Sequence, residues 1–261
     1  MTEYGMNLAS NEGIHVSRSA EEANAEAAEF IRDLAKKAVA ARGMFTIALS
    51  GGSTPKKLYA LMASDEYREQ FPWEKIEFFW GDERYVPSTD ASSNFHMTQE
   101  AMLSKAPVSP ERIHRVRTEL PPEEAAGQYE DEVRRIVRLG ENRCPAFDLV
   151  LLGLGTNGHT ASLFPFQRAL HEHERLVVSE YIDEVKMTRT TFTVPLINSA
   201  REILFISLGA DKASVLKDVI TGPYVPDKLP AQFIRPEQGR LTWLIDRDAA
   251  SGLPKEILRK K

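Results

Sequence analysis

Along this chain, short apolar runs stop in polar or glycine-rich turns and give way to longer stretches with helical spacing. That recurring alternation constrains the fold more than any other feature. The runs at 44–49, 76–80, 147–152, 203–208 and 241–245 are strand-length and nearly all apolar, as expected of strands covered on both faces. Shorter candidates lie at 113–116, 176–179 and 190–194. The clearest helix is predicted from Ser19 to about Arg42, with Ala23, Ala27, Phe30, Ile31, Leu34 and Val39 on one stripe. Ser19 can cap it, Glu22 completes a capping box, and Gly43 stops it. A second helix is expected with Thr54 as N-cap and Pro55 as first helical residue, running through Leu58 and Leu61. Others pass through Phe95, Met102 and Leu103, run from Pro121 and Pro122 to about Leu139, and lie near 211–220. Strands alternating with helices predict an α/β fold with a mostly parallel sheet covered on both faces. No repeat, low-complexity tract or Gly/Ser linker divides the chain, whose length suits one large domain or two small ones.

Composition narrows the function classes. The 261 residues include 33 Lys+Arg against 38 Asp+Glu, a formal charge of −5. Without long basic blocks, such a chain is a poor nucleic-acid binder. Its apolar runs are too short to cross a bilayer. The opening MTEYGMNLASNEG has neither a basic nor an apolar region, so no signal peptide is expected and the cytoplasm is the expected compartment. Cys144 is the single cysteine, which excludes a disulfide framework and a thiolate metal cage.

Ligands of parallel sheets sit beyond the carboxyl ends of the strands, where this chain concentrates its polar turns. Ser50-Gly51-Gly52-Ser53-Thr54-Pro55 joins a strand to a helix. Gly51 and Gly52 let backbone N–H groups turn inward, Ser53 and Thr54 add hydroxyls, and a helix dipole lies behind, a combination suited to phosphate. A tight, well-capped turn is the alternative. No Gly-Lys-Ser/Thr follows, so this is not a Walker A loop and ATP is not inferred. Gly153, Gly155 and Gly158 spell G-x-G-x-x-G after another strand, yet His159 follows the third glycine and Pro165 interrupts any helix, against a dinucleotide site. His159 is placed for proton transfer near neutral pH, Asn157 can hold its ring, and loop amides can hold an oxyanion. A histidine satisfied by backbone bonds is the alternative. Asp82, Glu83 and Arg84 end a further strand, as a structural salt-bridge cluster or as part of a site. Arg189 and Lys212 are isolated cations that either face solvent or complete a phosphate clamp. His171-Glu172-His173-Glu174 has metal-like letters, but positions i and i+2 do not share a helix face and no third ligand is evident, so it reads as a solvated loop. Trp73, Trp80 and Trp243 read as core or rim packing.

Taken together, these segments resemble the glucosamine/galactosamine-6-phosphate isomerase and 6-phosphogluconolactonase family, and within it the 6-phosphogluconolactonase branch. The residues that carry the resemblance are LSGGSTP at 49–55, WGDERYVP at 80–87, SSNFHM at 92–97, FDLVLLGLGTNGHTASLFP at 147–165, RTTFTVPLIN at 189–198 and LGADKASVL at 208–216. They stand in family order and spacing over nearly the whole chain. The resemblance implies one modified Rossmann-like domain over 1–261, of the isomerase/ribose-5-phosphate isomerase/CoA-transferase kind, with 1–13 a loose N-terminal segment. It implies hydrolysis of 6-phospho-D-glucono-1,5-lactone to 6-phosphogluconate in the oxidative pentose phosphate pathway, without metal or organic cofactor. The implied partner is a small phosphorylated sugar lactone, with no nucleic acid or membrane, acted on by a monomer or small homo-oligomer. Phosphate would sit on Gly51, Gly52, Ser53 and Thr54, with Arg189 and Lys212 at the phosphate-contacting positions. His159 would be the general base. Arg84 or amides of the Gly155–Gly158 loop would hold the oxyanion, and Asp82 would orient water or sugar hydroxyls.

One departure carries weight. The family usually has Asp two residues before the histidine, where this chain has Asn157. An amide can accept from the imidazole but cannot stabilise the imidazolium by charge. This predicts a slower base, or a substitute carboxylate such as Asp82. Two rival functions are an aminosugar-6-phosphate isomerase/deaminase and a sugar-phosphate sensor without turnover. The first needs a carboxylate soon after the histidine, and His159-Thr160-Ala161-Ser162-Leu163-Phe164-Pro165 has none.

Overall fold

The computed structural model describes residues 12–258, and the expected loose segment falls mostly outside them. Its last two residues, Glu12 and Gly13, are not loose but open the first strand, paired with Leu241 and Thr242.

The apolar runs become strands much as their patterning requires. In chain order they are β1 (Glu12–Ser17), β2 (Phe45–Leu49), β3 (Ile76–Trp80), β4 (Asp82–Arg84) and β5 (Leu149–Leu152). Then follow β6 (Val177–Ile182), β7 (Met187–Phe192), β8 (Glu202–Ser207) and β9 (Arg240–Asp246). Six of them form one sheet in the order β1-β9-β8-β5-β2-β3, with every pairing parallel. The principal helices are α1 (Ala20–Arg42), α2 (Ser53–Met62), α3 (Asn94–Thr98), α4 (Pro122–Ile136), α5 (Val194–Asn198), α6 (Ala213–Thr221) and α7 (Arg247–Ala250).

Alternation along each strand sends neighbouring side chains to opposite faces. Phe45, Ile47, Leu49, Leu149 and Leu151 join a core with Ala27, Ile31, Ala35 and Ala38 of α1 and with Leu58 and Tyr59 of α2. Ala48, Val150, Leu152, Phe205 and Trp243 join the opposite core with Ala126, Tyr129 and Val133 of α4 and with Leu216 of α6. Both faces are therefore covered, as near-continuous apolar strands demand. Trp73, Trp80 and Trp243 are all buried.

Several elements depart from expectation. Asp82–Arg84 is not a turn but β4, and β4, β7 and β6 form a separate three-stranded antiparallel sheet. The runs at 176–179 and 190–194 thus belong to a hairpin outside the parallel sheet, the first lengthened to Ile182 and the second set back to Met187–Phe192. The 113–116 run makes a single bridge, Phe78 to Ile113, and no strand. Thr54 is not the cap of α2. Gly52, at φ +111, holds that position, and the Lys56 N–H closes the first turn on the Gly52 carbonyl at 3.1 Å. Pro55 lacks an N–H to donate and fits the first turn. The helix through Phe95 starts as α3 and widens into a π turn over Gln99–Leu103. In α1, Ser19 accepts from Glu22 N–H as expected, while the Glu22 carboxylate reaches back to the Arg18 N–H.

Candidate active site

Because the six-stranded sheet is all parallel, every strand of it ends on the same edge. β8, β5, β2 and β3 are consecutive there. Their terminal loops are Leu208–Lys212, Gly153–His159, Ser50–Thr54 and Gly81 leading into β4. The turns after 44–49, 76–80, 147–152 and 203–208 therefore open on one edge of the sheet.

The β5 loop is built around its histidine. The Gly155 N–H donates to the His159 carbonyl at 2.8 Å, and the Gly158 N–H to the Gly155 carbonyl at 2.9 Å. Both amides are spent inside the loop, which overturns the expectation that they hold an oxyanion. Gly155 serves space instead, since a Cβ there would overlap the His159 ring. The imidazole is half-buried and stacks on Phe164, with centroids 4.2 Å apart and planes 14° from parallel. Its Nδ1 lies 2.6 Å from Asn157 Oδ1, which also accepts the His159 backbone N–H at 3.1 Å. The Asn157 Nδ2 donates to both carboxylate oxygens of Glu184, at 2.9 and 3.0 Å. Glu184 lies in the exposed turn between β6 and β7.

Burial is the largest influence on His159 and lowers its pKa; Asp82 opposes it, while Arg189, Lys212 and Arg84 add to it, leaving the value at about 4. The ring is neutral near pH 7. These four charged groups, drawn from three chain segments, all lie near enough to act on the imidazole.

Asp82 is buried and doubly held: its Oδ2 accepts from Ser162 Oγ at 2.7 Å and its Oδ1 from Asn94 Nδ2 at 3.3 Å. Asn94 also fills the space over Gly51, where any Cβ would collide with it, and so ties the β2 loop to Asp82. Glu83 is structural. It is buried and accepts the N–H groups of Arg84, Asn94 and Phe95, fastening the start of α3 to β4. Burial raises its pKa despite those bonds.

Arg84 and Arg189 are directly opposed across the β4–β7 ladder. Opposed residues share a face, so two guanidinium groups stand side by side. The Nε of each is buried with no hydrogen-bond partner. Burial lowers the Arg189 pKa, Asp82 counters it and Arg84 lowers it further. Buried unpaired donors of like charge are costly unless an anion joins them. Lys212 follows β8, its Nζ 3.2 Å from Asp211 Oδ2. The Asp246 carboxylate accepts the Gly209 N–H at 3.0 and 3.1 Å and fixes that turn. Gly52 and Ser53 are exposed at the open end of α2, and Gly51 and Thr54 are partly so.

The predicted residues thus gather at one place, and Asn94, Ser162, Phe164 and Glu184 join them unforeseen. Asn94 and Ser162 lay inside quoted motifs without a role, whereas Glu184 lay in none. The His171–Glu174 segment stands apart, with His171 exposed and bonded to Asp227 at 2.7 Å. No cluster of three or more His, Cys, Asp or Glu side chains suited to a metal ion occurs among the described residues. Among them, too, no helix is long and apolar enough to cross a membrane.

An anion-accepting edge of paired guanidiniums beside one neutral imidazole, on a parallel α/β sheet, defines a protein that handles small acidic metabolites. Residues 18–243 match the family described as glucosamine-6-phosphate isomerases/6-phosphogluconolactonase, and the chain belongs to it. A 6-phosphogluconolactonase of Synechocystis is 45% identical over 218 residues, covering 83% of this chain and 88% of that protein. The structure of 6-phosphogluconolactonase from Trypanosoma cruzi superposes with a TM-score of 0.81 at 30% identity, covering 93% of this chain and 97% of that one. A monomeric glucosamine-6-phosphate deaminase shares the fold, with a TM-score of 0.78 at 21% identity over 92% of this chain and 99% of that one. The fold therefore serves both branches, and the residues of the site must separate them.

Proposed function

We infer that this chain hydrolyses 6-phospho-D-glucono-1,5-lactone to 6-phosphogluconate, in the cytoplasm and on a freely diffusing sugar phosphate rather than on nucleic acid or membrane. The observation that carries this reading is the neutral His159, its Nδ1 tied to Asn157 and its Nε2 without a hydrogen-bond partner among the described residues, within the electrostatic reach of Arg84, Arg189 and Lys212.

The phosphate is bound by Arg189, Lys212 and the Gly51–Thr54 loop at the open end of α2. Anchoring that end fixes the ring over the β5 loop, so binding energy becomes orientation at C1. His159 Nε2 takes a proton from water as the water oxygen bonds to C1. The carbonyl oxygen becomes an oxyanion facing Arg84, whose guanidinium is held in place by the Ser92 carbonyl and keeps a buried, unpartnered Nε. When the intermediate collapses, the C1–O5 bond breaks and the imidazolium returns its proton to O5. The new C1 carboxyl then loses a proton to solvent. Asp82, held by Ser162 and Asn94, is positioned to orient the water or a ring hydroxyl. The deaminase reading lacks its carboxylate soon after the histidine, since Thr160-Ala161-Ser162-Leu163-Phe164-Pro165 carries none.

Freshly generated lactone in a coupled assay tests this directly. Wild type should turn it over, and His159→Ala should lose about 10²- to 10⁴-fold in kcat while still binding 6-phosphogluconate. Full kcat in the variant would remove His159 from the mechanism. Ammonia release from glucosamine 6-phosphate would favour the deaminase, and saturable binding without turnover would favour a sensor.

A further inference from the structure

We propose that Glu184, through the Asn157 amide, is a positioning residue that sets the tautomer and basicity of His159. The proposal rests on the reading of His159 as the base, and it supplies the carboxylate that the asparagine at 157 leaves wanting.

Donor and acceptor chemistry forces the assignment. A carboxylate only accepts, so the Asn157 nitrogen must face Glu184, to whose oxygens it donates at 2.9 and 3.0 Å. The amide oxygen must then face the ring, and it too only accepts. The proton on the imidazole therefore sits on Nδ1, across 2.6 Å, and Nε2 keeps its lone pair. With Glu184 gone, the amide is free to turn over and present its nitrogen to Nδ1, selecting the tautomer protonated on Nε2. That tautomer cannot accept a proton from water. The His159 backbone N–H also favours the productive orientation of the amide. Glu184 adds to it a net negative charge that polarises the amide toward the ring. Asp82 reaches the imidazole only through space and makes no hydrogen bond to it among the described residues. The hairpin turn that carries Glu184 also carries Asp183 and Lys186, both exposed, while the cations acting on the ring are Arg189 on β7 of the same hairpin, Arg84 on β4 and Lys212 after β8.

This arrangement changes the meaning of a family-like aspartate at 157. Asn157→Asp alone sets two carboxylates against each other in the same contact. Glu184→Gln alone removes the charge. Together they rebuild the contact with its polarity reversed, glutamine donating to aspartate, and place the charge next to the ring.

The test compares wild type with Glu184→Gln, Asn157→Asp and the double variant. It uses kcat and KM against pH, together with nitrogen NMR of the His159 ring in the resting protein. Glu184→Gln should lower kcat about 3- to 10-fold with KM changed less than about twofold, and should shift the acid limb and the His159 titration to lower pH. The double variant should exceed both single variants, a non-additivity that purely structural damage would not produce. Additive losses, or a Glu184→Gln protein with wild-type kcat and an unchanged His159 titration, would overturn the proposal. Should wild type show no lactone turnover, the functional reading fails, and the NMR comparison still decides whether Glu184 governs the ring.

Discussion

An imidazole whose pKa lies near 4 is a weak base at rest, and what happens to it on substrate binding decides the rate. Burial and the cations Arg189, Lys212 and Arg84 hold it there. A dianionic phosphate on Arg189 and Lys212 cancels part of that repulsion, so the pKa of His159 should rise in the complex. The acid limb of kcat/KM, which reports the free enzyme, should therefore fall near pH 4, with the limb of kcat at higher pH. Coincident limbs would mean that the phosphate does not approach those cations. Gly155→Ala tests the ring's seat. Its Cβ overlaps the imidazole, so kcat should drop more than about tenfold while stability changes by about 1 kcal/mol or less. At this scale His159 was legible, because a histidine in a glycine-rich loop at a strand's end is a local pattern. Glu184 was not, since its partner lies 27 residues away in sequence and an exposed hairpin glutamate has no local signature.

At the scale of elements, strands sealed on both faces announced themselves, as β2, β3, β5, β8 and β9 did. β4 did not, because Asp82-Glu83-Arg84 is polar and becomes a strand only by pairing with β7, about a hundred residues on. The 113–116 run had the right letters, but the chain touches the sheet edge at one bridge and leaves it. His114, in that segment, locks it by other means. It is buried, stacks on Phe79, and bonds Glu77 and Glu132 at 2.9 Å each. Burial lowers its pKa most strongly, but the bonds to Glu132 and Glu77 outweigh it and the net shift is upward. A raised folded-state pKa contributes stability that is complete below the unfolded value of about 6.5 and lost as pH climbs through the folded value. Urea titrations should thus show wild type losing stability as pH rises above about 6.5, and His114→Gln should be about 2 kcal/mol less stable at pH 6 and flatter with pH. A variant that keeps the wild-type slope would acquit His114 of any part in it.

The whole molecule makes its site from two sheets. The parallel sheet supplies the loops of β2, β5 and β8, and the antiparallel sheet supplies Arg84, Arg189 and, beyond β6, Glu184. A ligand that joins both should stiffen the assembly. At about 100 times its Kd, 6-phosphogluconate should raise Tm by about 5–10 °C. Arg189→Ala should abolish most of that gain, and should weaken phosphorylated ligands far more than the unphosphorylated lactone. Equal weakening of both would place the phosphate elsewhere. The class of the fold was readable before any coordinates because it follows from apolar runs and their spacing. The second sheet was not, because only its pairing distinguishes its strands from those of the first.

The turn at 183–186 is held where β6 and β7 meet and by the Asn157 bonds to Glu184, and three of its four residues lie open to solvent. Core packing imposes nothing on the spelling of such a stretch. The reactivity of a half-buried ring is thereby entrusted to the most replaceable few residues nearby, and lineages of this chain can retune their chemistry by drift at the surface while the interior stays as it is.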